Sequence, residues 1–249
     1  MMKKNLVIIP ALYVNSKILA GLLDYLSRWF NVYFIDLPGF TKRLPCNYEV
    51  SFKYYAGFVE NEIKKLNLDN YILCGMSFGF GVISEMRLDD KCRGILALEP
   101  YVGSSAMKKG VFEKLSSKVF TSSKLALAFA DLLWKSPLSG ISNRVFIKLP
   151  AYILKLVQEE LDPKTMLKAS YLVLTYKETI NFHNLPHVLV ANENDNTINY
   201  QYMENLFKHK VESLLILHTD INHFPEDISP QYFESHMSTQ TLDSVVDFF

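Results

Sequence analysis

The chain has 249 residues, 49% hydrophobic and 21% charged, which suits one large α/β domain or two small ones with a packed core. Its 26 basic and 26 acidic residues give a formal net charge of zero. That argues against nucleic acid as the main partner, because phosphate binding needs a basic surplus.

The first residues, MMKKNLVIIPAL, carry two lysines before a short apolar run that contains Pro10. With no small-residue cleavage site, the run reads as a first strand rather than a signal peptide. Strands are expected over residues 5–9, 32–35, 71–74, 94–98, 188–191 and 214–217. They are rich in Val, Ile, Leu and aromatics and scarcely alternate, as strands buried on both faces of a parallel sheet do. Helices are expected between them. Residues 16–30 place Ile18, Leu22 and Leu26, with Leu19, Leu23 and Phe30, at helical spacing. Residues 51–66 start on a capping serine and align Phe52, Tyr55, Val59, Ile63 and Leu66. Strand alternating with helix is the pattern of right-handed crossover units around a parallel sheet.

Between residues 98 and 188 this rhythm breaks. Helical patterns fill the interval over 111–120, 124–134, 143–160 and 163–179, the third interrupted by Pro150. They are expected to form a helical cap inserted before the last two strands, dividing the chain into core 1–102, cap 103–182 and core 183–249. The bland alternative is that these helices extend the core. The most apolar stretch, 125–134, is too short to span a bilayer and contains Asp131. Cys46, Cys74 and Cys92 match no metal-site spacing and are odd in number, so reduced thiols and a cytoplasmic location are expected.

Gly75-Met76-Ser77-Phe78-Gly79 fits G-x-S-x-G. The pattern is cheap by itself, but here it follows a strand and precedes a helical stretch over 81–87, the setting a nucleophile elbow needs. A serine on such a turn sits at the carboxyl edge of the sheet, beside the positive end of a helix. An alcohol is a poor nucleophile at neutral pH, so Ser77 needs a base. His223, beyond the last strand, returns to that edge; His218 is its rival. His187 starts a strand at the opposite edge and reads as structural. His209 reads as a surface residue, and no pattern supports His183 or His236. The base needs an orienting acid. Asp195 follows the strand 188–191, also at the active edge, and Glu99, at the end of strand 94–98, is the alternative. Glu193 and Asp220 are weaker candidates.

Taken together, the sequence resembles a capped serine-dependent α/β-hydrolase. The order Ser77, Asp195, His223 agrees with that family's order of nucleophile, acid and histidine. Residues 7–12 stand where the family has a strand followed by His-Gly. Residues 34–39 are similar to its Asp-Leu-Pro-Gly turn, 188–195 to its acid-bearing strand end, and 222–225 to its Gly-His-Phe stretch. The resemblance implies an α/β fold with a mostly parallel sheet and helices on both faces. It also implies an oxyanion hole from the N–H groups of Leu12 and Phe78, and a mostly apolar pocket touching Tyr13, Met76 and Tyr101. Phe80 and Phe78 belong to the same aromatic group, for which core packing is the other reading.

Three departures stand out. Pro10-Ala11 replaces His-Gly, Met76 stands where His is frequent, and Phe80 where Gly is frequent. Proline lacks an N–H and alanine restricts φ, so the loop geometry carries the hole. One oxyanion donor is worth about 3–4 kcal/mol in the barrier.

The expected activity is cleavage of a small or medium, mostly apolar ester by an acyl-enzyme route, needing no metal and no organic cofactor. The alternatives are the same triad acting on a thioester, lactone, amide or carbon–carbon bond, or a catalytically weak ligand-binding protein on the hydrolase frame. A small-molecule substrate is expected, and no integral membrane segment; the sequence leaves the oligomeric state open.

Overall fold

The structure is a computed structural model that describes residues 3–46, 49–108, 124, 151–176, 180–195, 197–221, 223 and 225–249. Six strands form one sheet: β1 (Lys4–Ile9), β2 (Phe30–Phe34), β3 (Tyr71–Met76), β4 (Cys92–Leu98), β5 (His187–Ala191) and β6 (Leu214–His218). Every pairing is parallel, and the order is β2-β1-β3-β4-β5-β6. The chain steps outward from β1 to β2 and then crosses back to β3. The order therefore reverses between β1 and β3, and the crevice at their carboxyl ends is where open α/β sheets bind ligands.

The described helices are α1 (Ala20–Leu26), α2 (Phe52–Leu66), α3 (Phe78–Ser84), α4 (Ala151–Glu160), α5 (Pro163–Thr175), α6 (Tyr200–Lys210), α7 (Pro230–His236) and α8 (Thr239–Phe248). They cover both faces of the sheet. On one face Val7, Ile9, Leu73, Ile95 and Leu189 pack against α2, α3 and α6. On the other, Leu6, Ile8, Ile72, Leu96 and Val188 pack against α1, α7 and α8. Consecutive strand residues thus face opposite cores, and this explains why the strands lack polar alternation.

Ile153, Val157, Met166 and Ala169 of α4 and α5 join the first of these cores. The helix expected over 143–160 begins, within the described residues, at Ala151, immediately after Pro150. Those expected over 111–120 and 124–134, and residues 143–150, lie outside the described residues, Lys124 excepted.

Three of the expected helices have different bounds in the structure, and the one expected over 163–179 ends at Thr175, with Tyr176 extended. The helix expected over 16–30 is confined to Ala20–Leu26. Asn15 Oδ1 accepts the N–H groups of Lys17 and Ile18 at 3.1 and 3.0 Å, which holds the preceding residues in turns. Phe30 is the first residue of β2 and is buried against α1. In addition, α3 starts at Phe78, not at residue 81, because close packing overrides the low helix propensity of Gly79 and Gly81. The Ser51 cap is present: its side chain accepts the Tyr54 N–H at 3.1 Å.

Candidate active site

The turn after β3 is bent at Ser77, whose φ of 43° and ψ of −108° lie outside the regions an L-residue favours. Such a conformation stores on the order of 1–3 kcal/mol and persists only where its surroundings enforce it. The neighbouring strand does so here. Ser77 N–H donates to the Leu98 carbonyl at 2.9 Å, and the Ser77 carbonyl accepts the N–H groups of Phe80 and Tyr101 at 3.0 and 3.1 Å. The flanking glycines are contact points. A Cβ on Gly75 would lie 2.8 Å from the Phe80 backbone, and one on Gly79 would lie 2.2 Å from the Ile9 carbonyl oxygen. The G-x-S-x-G spacing is therefore what lets β3, α3 and the end of β1 pass one another.

Ser77 Oγ lies 2.8 Å from His223 Nε2. The other ring nitrogen, Nδ1, lies 3.4 Å from Asp195 Oδ2; the two side chains are 10% and 1% exposed. Asp195 sits in the turn after β5. Its Oδ1 accepts the N–H groups of Thr197 and Ile198, the latter at 2.7 Å, and Lys108 Nζ donates to its backbone carbonyl at 2.7 Å. Burial pushes the Asp195 carboxyl up, but His223 and the Ile198 and Thr197 N–H groups outweigh it and hold it below the usual carboxylate range. Glu99 stands at the end of β4 with a φ of 44°, and its Oε1 accepts the Asn192 N–H. Carboxyl oxygens of Glu99 and Asp195 and a ring nitrogen of His223 lie within 4.8 Å of one another. Asp195 is the acid that faces Nδ1.

The remaining histidines stand apart from this group. His187 is fully buried at the opposite edge of the sheet, with Nδ1 2.7 Å from the Leu185 carbonyl. Its ring lies among Phe80, Phe182 and Phe207, and burial pushes its pKa down to about 4. His218 pairs with Glu193 at 3.2 Å on the surface. His183 contacts the Ile83 carbonyl, and His236 stacks on Tyr232.

Phe78 opens α3, so its N–H has no acceptor within the helix. The Gly79 contact brings this first turn against Ile9 and Pro10, the start of the loop that carries Leu12. No glycine bends that loop. The positive φ falls on Tyr13, at 67°, and its hydroxyl lies 2.5 Å from Ser170 Oγ on α5. Next along the chain, the Ser16 N–H and hydroxyl both donate to Asp36, at 2.8 and 2.7 Å, which ties this loop to the turn after β2. Leu12, Tyr13 and Met76 are partly buried. Tyr101 is 2% exposed, packs on Phe52, and donates its hydroxyl to the Val173 carbonyl of α5 at 2.7 Å. The Phe78 and Phe80 rings are core residues: Phe78 meets Phe40 and Phe52, and Phe80 meets Phe207. Ser170 carries no motif of its own; only the fold brings it to Tyr13.

No protein-family model matches the sequence, and a comparison with curated proteins returns no match. Solved structures do match. An epoxide hydrolase from Bacillus megaterium superposes with a TM-score of 0.70 at 13% identity, covering 100% of this chain and 93% of that one. An enol-lactonase from Burkholderia xenovorans LB400 gives 0.63 at 13% identity, covering 100% and 92%. The bottromycin epimerase BotH gives 0.64 at 13% identity, covering 99% and 90%. The chain therefore has the α/β-hydrolase fold. Hydrolases and an epimerase share that frame, so the reaction has to be argued from the residues of the site.

Proposed function

We propose that this chain is a serine hydrolase that cleaves a small or medium, mostly apolar ester through an acyl-enzyme. The observation that carries this reading is the 2.8 Å contact of His223 Nε2 with the hydroxyl of a serine held at a strained strand-to-helix turn. His223 takes the Ser77 proton as Oγ attacks the ester carbonyl. Asp195 holds the His223 tautomer that leaves Nε2 free to accept, and stabilises the imidazolium that forms. The N–H groups of Phe78 and Leu12 receive the oxyanion. His223 returns the proton to the leaving alcohol. It then activates a water that attacks the acyl-serine, and the acid leaves. The chemistry needs neither a metal nor an organic cofactor.

Residues 103–182 act in this reading as the cap over a pocket that meets Tyr13, Met76 and Tyr101. What supports that placement is α5, on which both the Tyr13 and the Tyr101 hydroxyls end. No helix of the described residues is long and apolar enough to cross a membrane. A cytoplasmic location belongs to the same proposal and rests on cysteine usage.

The test is a panel of chromogenic esters of increasing acyl length, with a thioester, a lactone, an amide and a diketone beside them. Esters are expected to give a stoichiometric burst followed by turnover, both absent in Ser77→Ala. Folded protein that turns over none of the panel would contradict the reading.

A further inference from the structure

One carboxyl group next to the serine, histidine and aspartate has no role in the mechanism above. Glu99 follows the last residue of β4, and its backbone N–H still donates to the Val190 carbonyl of β5 at 3.0 Å. Its φ of 44° turns the chain there, and the side chain reaches the end of β5, where Oε1 accepts the Asn192 N–H. Oε2 is buried. A carboxyl oxygen of Glu99, one of Asp195 and a ring nitrogen of His223 lie within 4.8 Å of one another.

Two carboxylates in a dry site do not both ionise cheaply. The donors decide which one keeps the charge. Among the described residues, Asp195 has two N–H groups on Oδ1 and His223 at Oδ2, whereas Glu99 has the Asn192 N–H. We propose that Glu99 is a positioning residue that stays protonated and donates a hydrogen bond to Asp195, so that one negative charge, held in one orientation, faces His223. This rests on the reading of Ser77, His223 and Asp195 as a hydrolytic triad.

The electrostatics run the same way. Burial first, and then the Asp195 charge, push the Glu99 carboxyl up to about 9, while the Asn192 N–H pulls it down. Other ionisable groups face the pair from the elements around it. Tyr200 on α6 is within electrostatic reach of Glu99 and Glu193, Lys108 sits on the Asp195 carbonyl, and His218 at the end of β6 pairs with Glu193. A carboxyl whose folded pKa is raised contributes stability that is complete below its unfolded value of 4.5 and is lost as pH rises through about 9. Ionisation of Glu99 would remove the donor from Asp195 and set two like charges side by side.

The experiment compares full-length wild type, Glu99→Gln and Glu99→Ala across pH, reading kcat and KM separately and unfolding each protein in denaturant. Glutamine keeps a donor but cannot ionise. Its kcat at neutral pH is expected to stay within about threefold of wild type, and the loss of kcat near pH 9 that is expected of wild type should be absent from it. Glu99→Ala should lower kcat by about tenfold or more, with KM changed much less. The stability advantage of Glu99→Gln over wild type should widen from acid to alkaline pH. Coincident pH profiles of wild type and Glu99→Gln would overturn the proposal. So would a Glu99→Gln kcat as low as that of Asp195→Asn, which would make Glu99 a working anion, or a stability difference that does not change with pH. The stability readout needs no turnover. If Ser77 resists an active-site label while the stability difference widens, the triad reading fails and the protonated Glu99 stands.

Discussion

The turns after β3 and after β1 both leave the sheet through a non-glycine residue of positive φ, Ser77 at 43° and Tyr13 at 67°, but different parts of the molecule hold them. Ser77 is fixed from within the sheet, by the Leu98 carbonyl and by glycines that let α3 lie against β1. Tyr13 is fixed from outside it, by the hydroxyl contact with Ser170 of α5. The serine's position thus belongs to contacts within the core, the β3–β4 pairing and the α3 packing. The side of the site that would receive the oxyanion depends on the helical region between β4 and β5. A change in α5 should therefore reach Leu12 and leave Ser77 in place.

Four substitutions bear on this division, from the largest effect to the smallest. Asp195→Asn, on the sheet side, should cut kcat by about 10⁴-fold, about 5 kcal/mol in the barrier, with an unchanged circular dichroism spectrum. Gly79→Ala puts a methyl 2.2 Å from the Ile9 carbonyl oxygen. It should cost about 1–3 kcal/mol of stability in a denaturant titration, with activity falling alongside. Tyr13→Phe removes the hydroxyl that tethers this turn to Ser170 of α5 and should cost about 1 kcal/mol or less in stability. Its effect should appear in kcat toward esters, while the rate at which Ser77 reacts with a small phosphonate stays close to wild type. If Tyr13→Phe slows both equally, the two turns are not independent. Gly57→Ala, in the middle of α2 with open space around the added methyl, should stabilise the protein by about 0.5–1 kcal/mol and leave kcat alone. It serves as the control for global stability.

The sheet could be read from the sequence because its strands are buried on both faces. Leu6 to Ile9 and Val188 to Ala191 face alternate cores and are apolar throughout. The elbow was legible for a different reason: close backbone approach leaves glycines at a fixed spacing around Ser77. Asp195 and His223 could be placed at the carboxyl edge from their positions after strand ends. What local pattern could not give is register. Leu98 pairs with Val190, and that pairing sets Glu99 beside the turn of residues 192–195, next to Asp195 rather than in its place. The Tyr13–Ser170 contact spans 157 residues and depends on how α5 docks. The start of α3 was misplaced because glycines argue against helix locally, while tertiary packing puts them inside one.

The central claim is that Ser77 is a nucleophile activated by His223. Its most direct test is covalent labelling with a fluorophosphonate, followed by mass analysis of the peptide that carries the adduct. The account predicts one adduct per chain, on Ser77, absent in Ser77→Ala and formed far more slowly in His223→Ala. A folded wild-type protein that takes up no label, or labels at the same rate in His223→Ala, would contradict it.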